Sequence, residues 1–286
     1  MDKRKFKEMI DNYPGSYPIN DKTKKDLLKH AVIVFDADTL KSITDLPDNV
    51  FNELISLLKA SKVEKRLWIP YNVDYKYHKD LMPTIDNKRL KVAELFTKDK
   101  CGIAFNKAQY AYLYKRGQER FDKQMPPGMM GGGNDKKIIY HDYLIWKEMQ
   151  AYAGDNKKDI ILVKYKIDYA WFEKEGDNIY TNHTISNEFY SQTKHDFDLK
   201  RGRLFLAYSI TDFLELCVSN LDGKEQGNYD DLLENFVSIK NFQQRFHNTS
   251  DENDDKSDDS SKSPSKEHLC KYSISNFIAS LIDKFR

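Results

Sequence analysis

Five apolar residues in a row, Ala31-Val-Ile-Val-Phe35, stop abruptly at the acidic triplet Asp36-Ala-Asp38, and no other stretch constrains the fold as strongly. An uncharged, β-branched run is what a strand buried on both faces requires, and such strands belong to parallel sheets covered by helices. Ligands in open parallel sheets sit in the crevice beyond the carboxyl ends of the strands. A D-x-D at a strand end therefore places acid at the mouth of the sheet, suited to a divalent cation or a phosphate-bearing substrate. The same residues have a plainer use, because aspartate after a strand also caps the next helix or shapes a turn.

The remaining pattern extends this unit. Val50, Phe51, Leu54, Ile55, Leu57 and Leu58 recur at helical spacing after Pro47, and Arg66-Leu-Trp-Ile-Pro70 reads as a second strand. Together they make a β-α-β unit with a right-handed crossover. Helical patterns run from Tyr71 to Lys100, with a break at Pro83, and from Phe105 to Phe121; a third begins at Tyr140, with Asp142 in its first turn. Asp159 to Lys164 is a buried strand, Tyr165 to Gly176 a loop and short helix, Asn187 to Phe189 helical, Arg203 to Ala207 a fourth strand, and Thr211 opens another helix. Strands alternating with helices define an α/β class with a mainly parallel sheet. Tyr110, Tyr112 and Tyr114 could stack on nucleobases, but alternate positions on a helix do not share a face, so packing is their expected use.

The 286 residues suffice for a large core, and 46 basic against 45 acidic side chains give no overall pull toward nucleic acid. Residues 247–267 carry seven acids and three lysines, which leaves the rest of the chain at +5 where the whole is +1. Cys101, Cys217 and Cys270 lie far apart without a C-x-x-C, as expected of reduced thiols in a cytoplasmic protein. No run is long and apolar enough to span a membrane, and the charged start lacks the apolar stretch of a signal peptide. The lysine-, isoleucine- and asparagine-rich composition is compatible with a low-GC bacterial genome.

Five segments are expected: an arm over 1–30, the α/β domain over 31–221, a helical extension over 222–246, a flexible acidic linker over 247–267 and an amphipathic helix over 268–286. The linker is nearly devoid of apolar residues and does not bury enough surface to order itself. The last helix carries Ile274, Phe277, Ile278, Leu281, Ile282 and Phe285 on one face and is expected to dock on the domain or on a protein partner. The Met125–Lys137 loop, with Gly131-Gly-Gly133, reads as flexible; without G-K-[ST] it is not a P-loop, though a nucleotide-binding α/β protein using these glycines is the reading outside any family.

The order DADTL, RLWIP, PPG, HDYLIWKEM, IILV, Trp171, SNEF and ITDFLE resembles the bacterial PIN-like domain family, a branch of the PIN superfamily of metal-dependent nucleases, over roughly Val32 to Leu216. The resemblance implies a three-layer α/β/α domain. In active members it also implies clustered acids that bind Mg²⁺ or Mn²⁺ and position water against a phosphodiester, with RNA or another nucleic acid as partner. Hard oxygen ligands suit that task, since the ion stabilises both attacking and leaving oxygens. By position, Asp36 and Asp142 match the family's metal-binding aspartates and Asp38 the second polar residue of its opening motif, giving Asp36, Asp38 and Asp142 as the catalytic set. His141 stands where glycine is usual; it is the only one of the histidines weighed as bases, with His78 and His183, that lies near the proposed site, and it is expected to cap the helix or face solvent.

Two departures matter. Lys76 occupies the place of an expected glutamate, and Lys164-Tyr-Lys166 replaces threonine and acids after the third strand. An ammonium about 4 Å from a divalent ion, at an effective dielectric of ~20, opposes it by roughly 8 kcal/mol. Asp74 lies about 200° round its helix from Lys76, too far to substitute, and Asp168 reaches the site only through a rearranged loop. The expectation is therefore a damaged or absent two-metal centre, with Lys76 or Lys166 replacing the cation beside Asp36 and Asp142: a pseudoenzyme that binds RNA or a protein partner. The alternative is an active Mg²⁺- or Mn²⁺-dependent endoribonuclease in toxin–antitoxin or phage-defence roles.

Overall fold

The computed structural model describes residues 15, 19–81, 86–127, 136–175 and 178–237. The glycines of the 125–137 loop, residues 238–246, the acidic linker, the terminal amphipathic helix and Cys270 lie outside the described residues.

The centre is a parallel three-stranded sheet of β1 (Val32–Phe35), β2 (Ile160–Lys164) and β5 (Phe205–Ser209), in the order β1-β2-β5. Val32 stands opposite Ile160 and Phe35 opposite Val163; on the other side Ile160 faces Phe205 and Lys164 faces Ser209. Every residue of β1 and β2 is buried, as continuous apolar strands covered on both faces must be. The expected Arg66–Pro70 strand shrinks to single parallel bridges, Ile33 with Leu67 and Ile69 with Cys101. A tight turn at Glu64–Arg66 precedes it, and Pro70, without an N–H, ends the ladder.

Helices follow the strands. β1 leads directly into α2 (Ala37–Thr44), then α3 (Asp48–Ala60), α4 (Tyr71–Leu81), α5 (Asn87–Glu94), α6 (Lys107–Asp122) and α7 (Lys136–Asn156). After β2 come α8 (His183–Asp196) and, following β5, α9 (Ile210–Ser219). Two further pieces differ from the sequence expectation. Part of the supposed N-terminal arm is a helix, α1 (Asp21–His30), capped by Asn20, whose side chain accepts the Thr23 N–H at 2.9 Å, and anchored by buried Leu27 and Leu28. The segment expected to be a loop and short helix contains an antiparallel hairpin, β3 (Phe172–Glu175) with β4 (Asn178–Thr181). The hairpin is fixed to β5 by the Thr181 hydroxyl, which donates to the Ala207 carbonyl and accepts its N–H.

Helices α1, α3 and α9 pack together, while α4, α6, α7 and α8 form a second group, and both share the sheet's apolar core. The fold is the mixed α/β arrangement with a parallel sheet that the alternation of strands and helices predicts. Among the described residues no helix is long and apolar enough to cross a membrane.

Candidate functional site

Because β1, β2 and β5 are parallel, their carboxyl ends share one edge, and Asp36, Lys164 and Ser209 meet there. Asp36 is first of all a helix cap: its backbone is extended and its carboxylate accepts the Thr39 N–H at 2.8 Å. The Thr39 hydroxyl also donates to Asp36. That hydroxyl sits within 3.2 Å of the Val163 carbonyl and accepts the Tyr165 N–H at 2.7 Å, so Thr39 staples α2 to the end of β2.

The other carboxylate oxygen of Asp36 holds the ammonium of Lys164 at 3.0 Å. Lys164, only 6% exposed, also reaches Asp168 at 3.2 Å and lies 5.5 Å from the Trp171 ring centre. Burial pushes the Asp36 carboxyl up, but the Lys164 charge and the Thr39 hydrogen bonds outweigh it, leaving the carboxyl below its ordinary range. Burial disfavours the Lys164 ammonium, yet Asp36, Asp142 and Asp168 together hold its pKa above the usual lysine range. Burial pushes the Asp168 carboxyl up, and the nearby Lys164 only partly opposes that shift.

The remaining sequence candidates divide around this core. Asp38 points outward and bonds Lys76 at 3.3 Å, with both side chains more than a third exposed. Asp142 is half-buried and sits in the second turn of α7, not the first, because the helix begins at Lys136. Its charge nevertheless acts on both Lys164 and His141. Lys166 is exposed, so neither lysine expected to replace the cation beside Asp36 and Asp142 does so; Lys164 occupies that position. Asp168 does reach the site, held by its own loop, where its second oxygen accepts the Ala170 N–H at 3.1 Å. His141 is not a surface or capping residue: its Nε2 lies 3.1 Å from the Asn72 carbonyl, and burial lowers its pKa. Asp74 is buried, 3.6 Å from His78.

Sequence reasoning named Lys164 only as a departure and gave the cation's place to Lys76 or Lys166, and it missed Glu148. The role of Lys164 could have been found by laying the strand ends side by side, since Phe35 opposite Val163 puts Asp36 beside Lys164. Glu148, buried on α7, accepts the Asn72 N–H at 3.1 Å at the start of α4, and burial pushes its carboxyl up to about 8. No spacing signal marks it, because it sits within an apolar helix pattern.

A divalent cation fits this arrangement poorly. The oxygens of Asp36 and Asp168 that would coordinate it already hold an ammonium at 3.0 and 3.2 Å, and a lysine within coordination range of the ion repels it. Among the described residues no group of three or more His, Cys, Asp or Glu side chains is arranged to hold a metal.

Residues 86–188 match a family model described as a PIN like domain. The match contains Asp142, Lys164 and Asp168; Asp36, Asp38 and Lys76 precede it. No curated protein and no solved structure matches the chain.

Proposed function

As this chain carries a PIN-like domain, we propose that it is a nucleic-acid-binding relative of the metal-dependent nucleases whose catalysis is impaired by an internal cation. The observation that carries the reading is the Lys164 ammonium bonded to both Asp36 and Asp168. A tethered ammonium neutralises buried carboxylates as a metal would, and so keeps the acid edge folded. It offers no open coordination position, lowers no water pKa and orients no attacking oxygen, which are the contributions a metal centre makes. Lys76, bonded to Asp38 at the rim, adds a second positive charge where a family member would carry a ligand. Lys164 is buried and fully engaged, so it silences the centre without itself facing a ligand.

The test pairs calorimetric titration of Mn²⁺ and Mg²⁺ into the purified protein with incubation of labelled single-stranded RNA in Mn²⁺. The expected result is no binding at millimolar metal and no metal-dependent cleavage. Millimolar or tighter binding accompanied by cleavage, both abolished by Asp36→Asn, would overturn the reading and establish an active endoribonuclease.

A further inference from the structure

Beside the acid edge, α4 and α6 turn a connected set of aromatic rings outward. Tyr71 and Tyr75, one turn apart on α4, stack with centroids 6.4 Å apart and planes 22° apart. Tyr110 and Tyr114, one turn apart on α6, stack at 6.0 Å and 25°. Tyr114 meets Tyr140 of α7 edge-on at 5.5 Å, and Phe105 supports Tyr110 at 5.8 Å. The two pairs converge at the start of α4, where Tyr110 lies within electrostatic reach of Tyr71. Tyr110 packs against the core as the sequence leads one to expect, and Tyr110 and Tyr114, four apart, share a face; Tyr112 is 62% exposed. Tyr75 and Tyr114 stay 38% and 43% exposed.

Three properties of this row select a ligand. Each ring is held by its neighbour, so little side-chain freedom is lost when a flat group lands on it. Lys107 and Lys115 are exposed on α6 beside the tyrosines in sequence, and the Glu119 charge on the same helix is paired with Arg116. The row also stands on helices that carry residues of the acid edge, α4 with Lys76, which bonds Asp38, and α7 with Asp142. Planar faces interleaved with cations suit unpaired bases on a charged backbone. A duplex keeps its base faces stacked inside, and an apolar protein surface gains nothing from the lysines.

We propose that the row Tyr75, Tyr71, Tyr110, Tyr114 and Tyr140 is a stacking platform for single-stranded nucleic acid, with Lys107 and Lys115 on the phosphates. The inference rests on nucleic acid as the partner, and is independent of whether the acid edge cleaves it.

Fluorescence anisotropy of the full chain with fluorescein-labelled oligouridine and oligothymidine of about twelve nucleotides, in EDTA, tests it. Tyr75→Ala and Tyr114→Ala are each expected to weaken binding about tenfold, while Tyr114→Phe, which keeps the ring, binds as the natural protein does. Tyr112→Ala and Tyr180→Ala, exposed positions outside the row, are expected to change nothing. Lys115→Ala should make the slope of log affinity against log salt shallower by about 0.7. Absence of binding, equal affinity across the tyrosine variants with unchanged circular dichroism, equal binding of a duplex, or self-association through this face without oligonucleotide binding would each overturn the platform. Metal-dependent cleavage of the same oligonucleotide would sink the impaired-catalysis reading and leave the platform standing.

Discussion

Asp36 performs two jobs with two oxygens, one capping α2 through Thr39 and the other holding Lys164. The jobs separate by substitution. Asp36→Asn keeps an acceptor for the Thr39 N–H but abandons the ammonium; Asp36→Ala loses both, and should unfold at lower urea by about a further 1 kcal/mol, the usual worth of a cap. Removing the other partner is the sharper test. Lys164→Ala leaves Asp36 and Asp168 without their cation, a change that costs roughly 3–5 kcal/mol at a buried pair. It also opens the space that the ammonium fills, so Mn²⁺ is expected to raise the melting temperature of this variant and not that of the natural protein, because only the variant binds the ion in its folded state. Equal responses in the two proteins would show that Lys164 is not what excludes the metal. At this scale the acids were legible in the sequence, and which of the nearby lysines serves as the cation was not. Lysine is almost never fully buried without a partner, and its partner Asp36 follows a strand whose register with β2 sets the two side by side.

Elements built from long apolar patterns were readable, and elements secured by single polar contacts were not. β1 and β2 follow from β-branched runs, and β5 from the apolar Phe205-Leu-Ala207. α1 is mostly charged, and only Leu27 and Leu28 anchor it; the β3–β4 hairpin depends on Thr181 bonding to Ala207 across a long sequence gap. Register effects of the same kind govern how α8 meets the chain leading into β5. A methyl group at Gly202 would lie 2.0 Å from the Tyr190 carbonyl oxygen, in the last turns of α8. Backbone does not yield as a flexible side chain does, so Gly202→Ala should cost about 1–3 kcal/mol of stability by overpacking, measured by urea unfolding. Gly223→Ala, where a methyl group meets nothing within 4 Å, is the control and is expected to leave the midpoint where it was.

Across the whole molecule, buried titratable groups give stability a shape in pH. Burial pushes the His78 imidazole down to about 4 from an ordinary 6.5, and lowers His141 as well. Their contribution is complete above pH 6.5 and is lost as pH falls, because the unfolded chain takes up protons that the folded chain refuses. Asp36, held below its ordinary 3.8, adds a further loss at stronger acid. Glu148 acts in the opposite sense. Burial raises its carboxyl from 4.5 to about 8, against the Asn72 N–H hydrogen bond and with help from the Asp74 charge. The folded chain therefore keeps a proton that the unfolded chain releases, and the contribution is full below pH 4.5 and lost as pH rises through about 8. Below pH 6.5 the two histidines act against Glu148 and the raised Asp168 carboxyl, and the histidine contribution is complete at pH 6.5. Above it, stability should decline with a slope of up to about 1.4 kcal/mol per pH unit, the limit for one proton. Glu148→Gln retains an oxygen for the Asn72 N–H and has nothing to titrate. Urea midpoints at pH 6.5 and 8.5 are expected to drop in the natural protein and to stay level in the variant; an equal drop in both would assign the alkaline limb to another group.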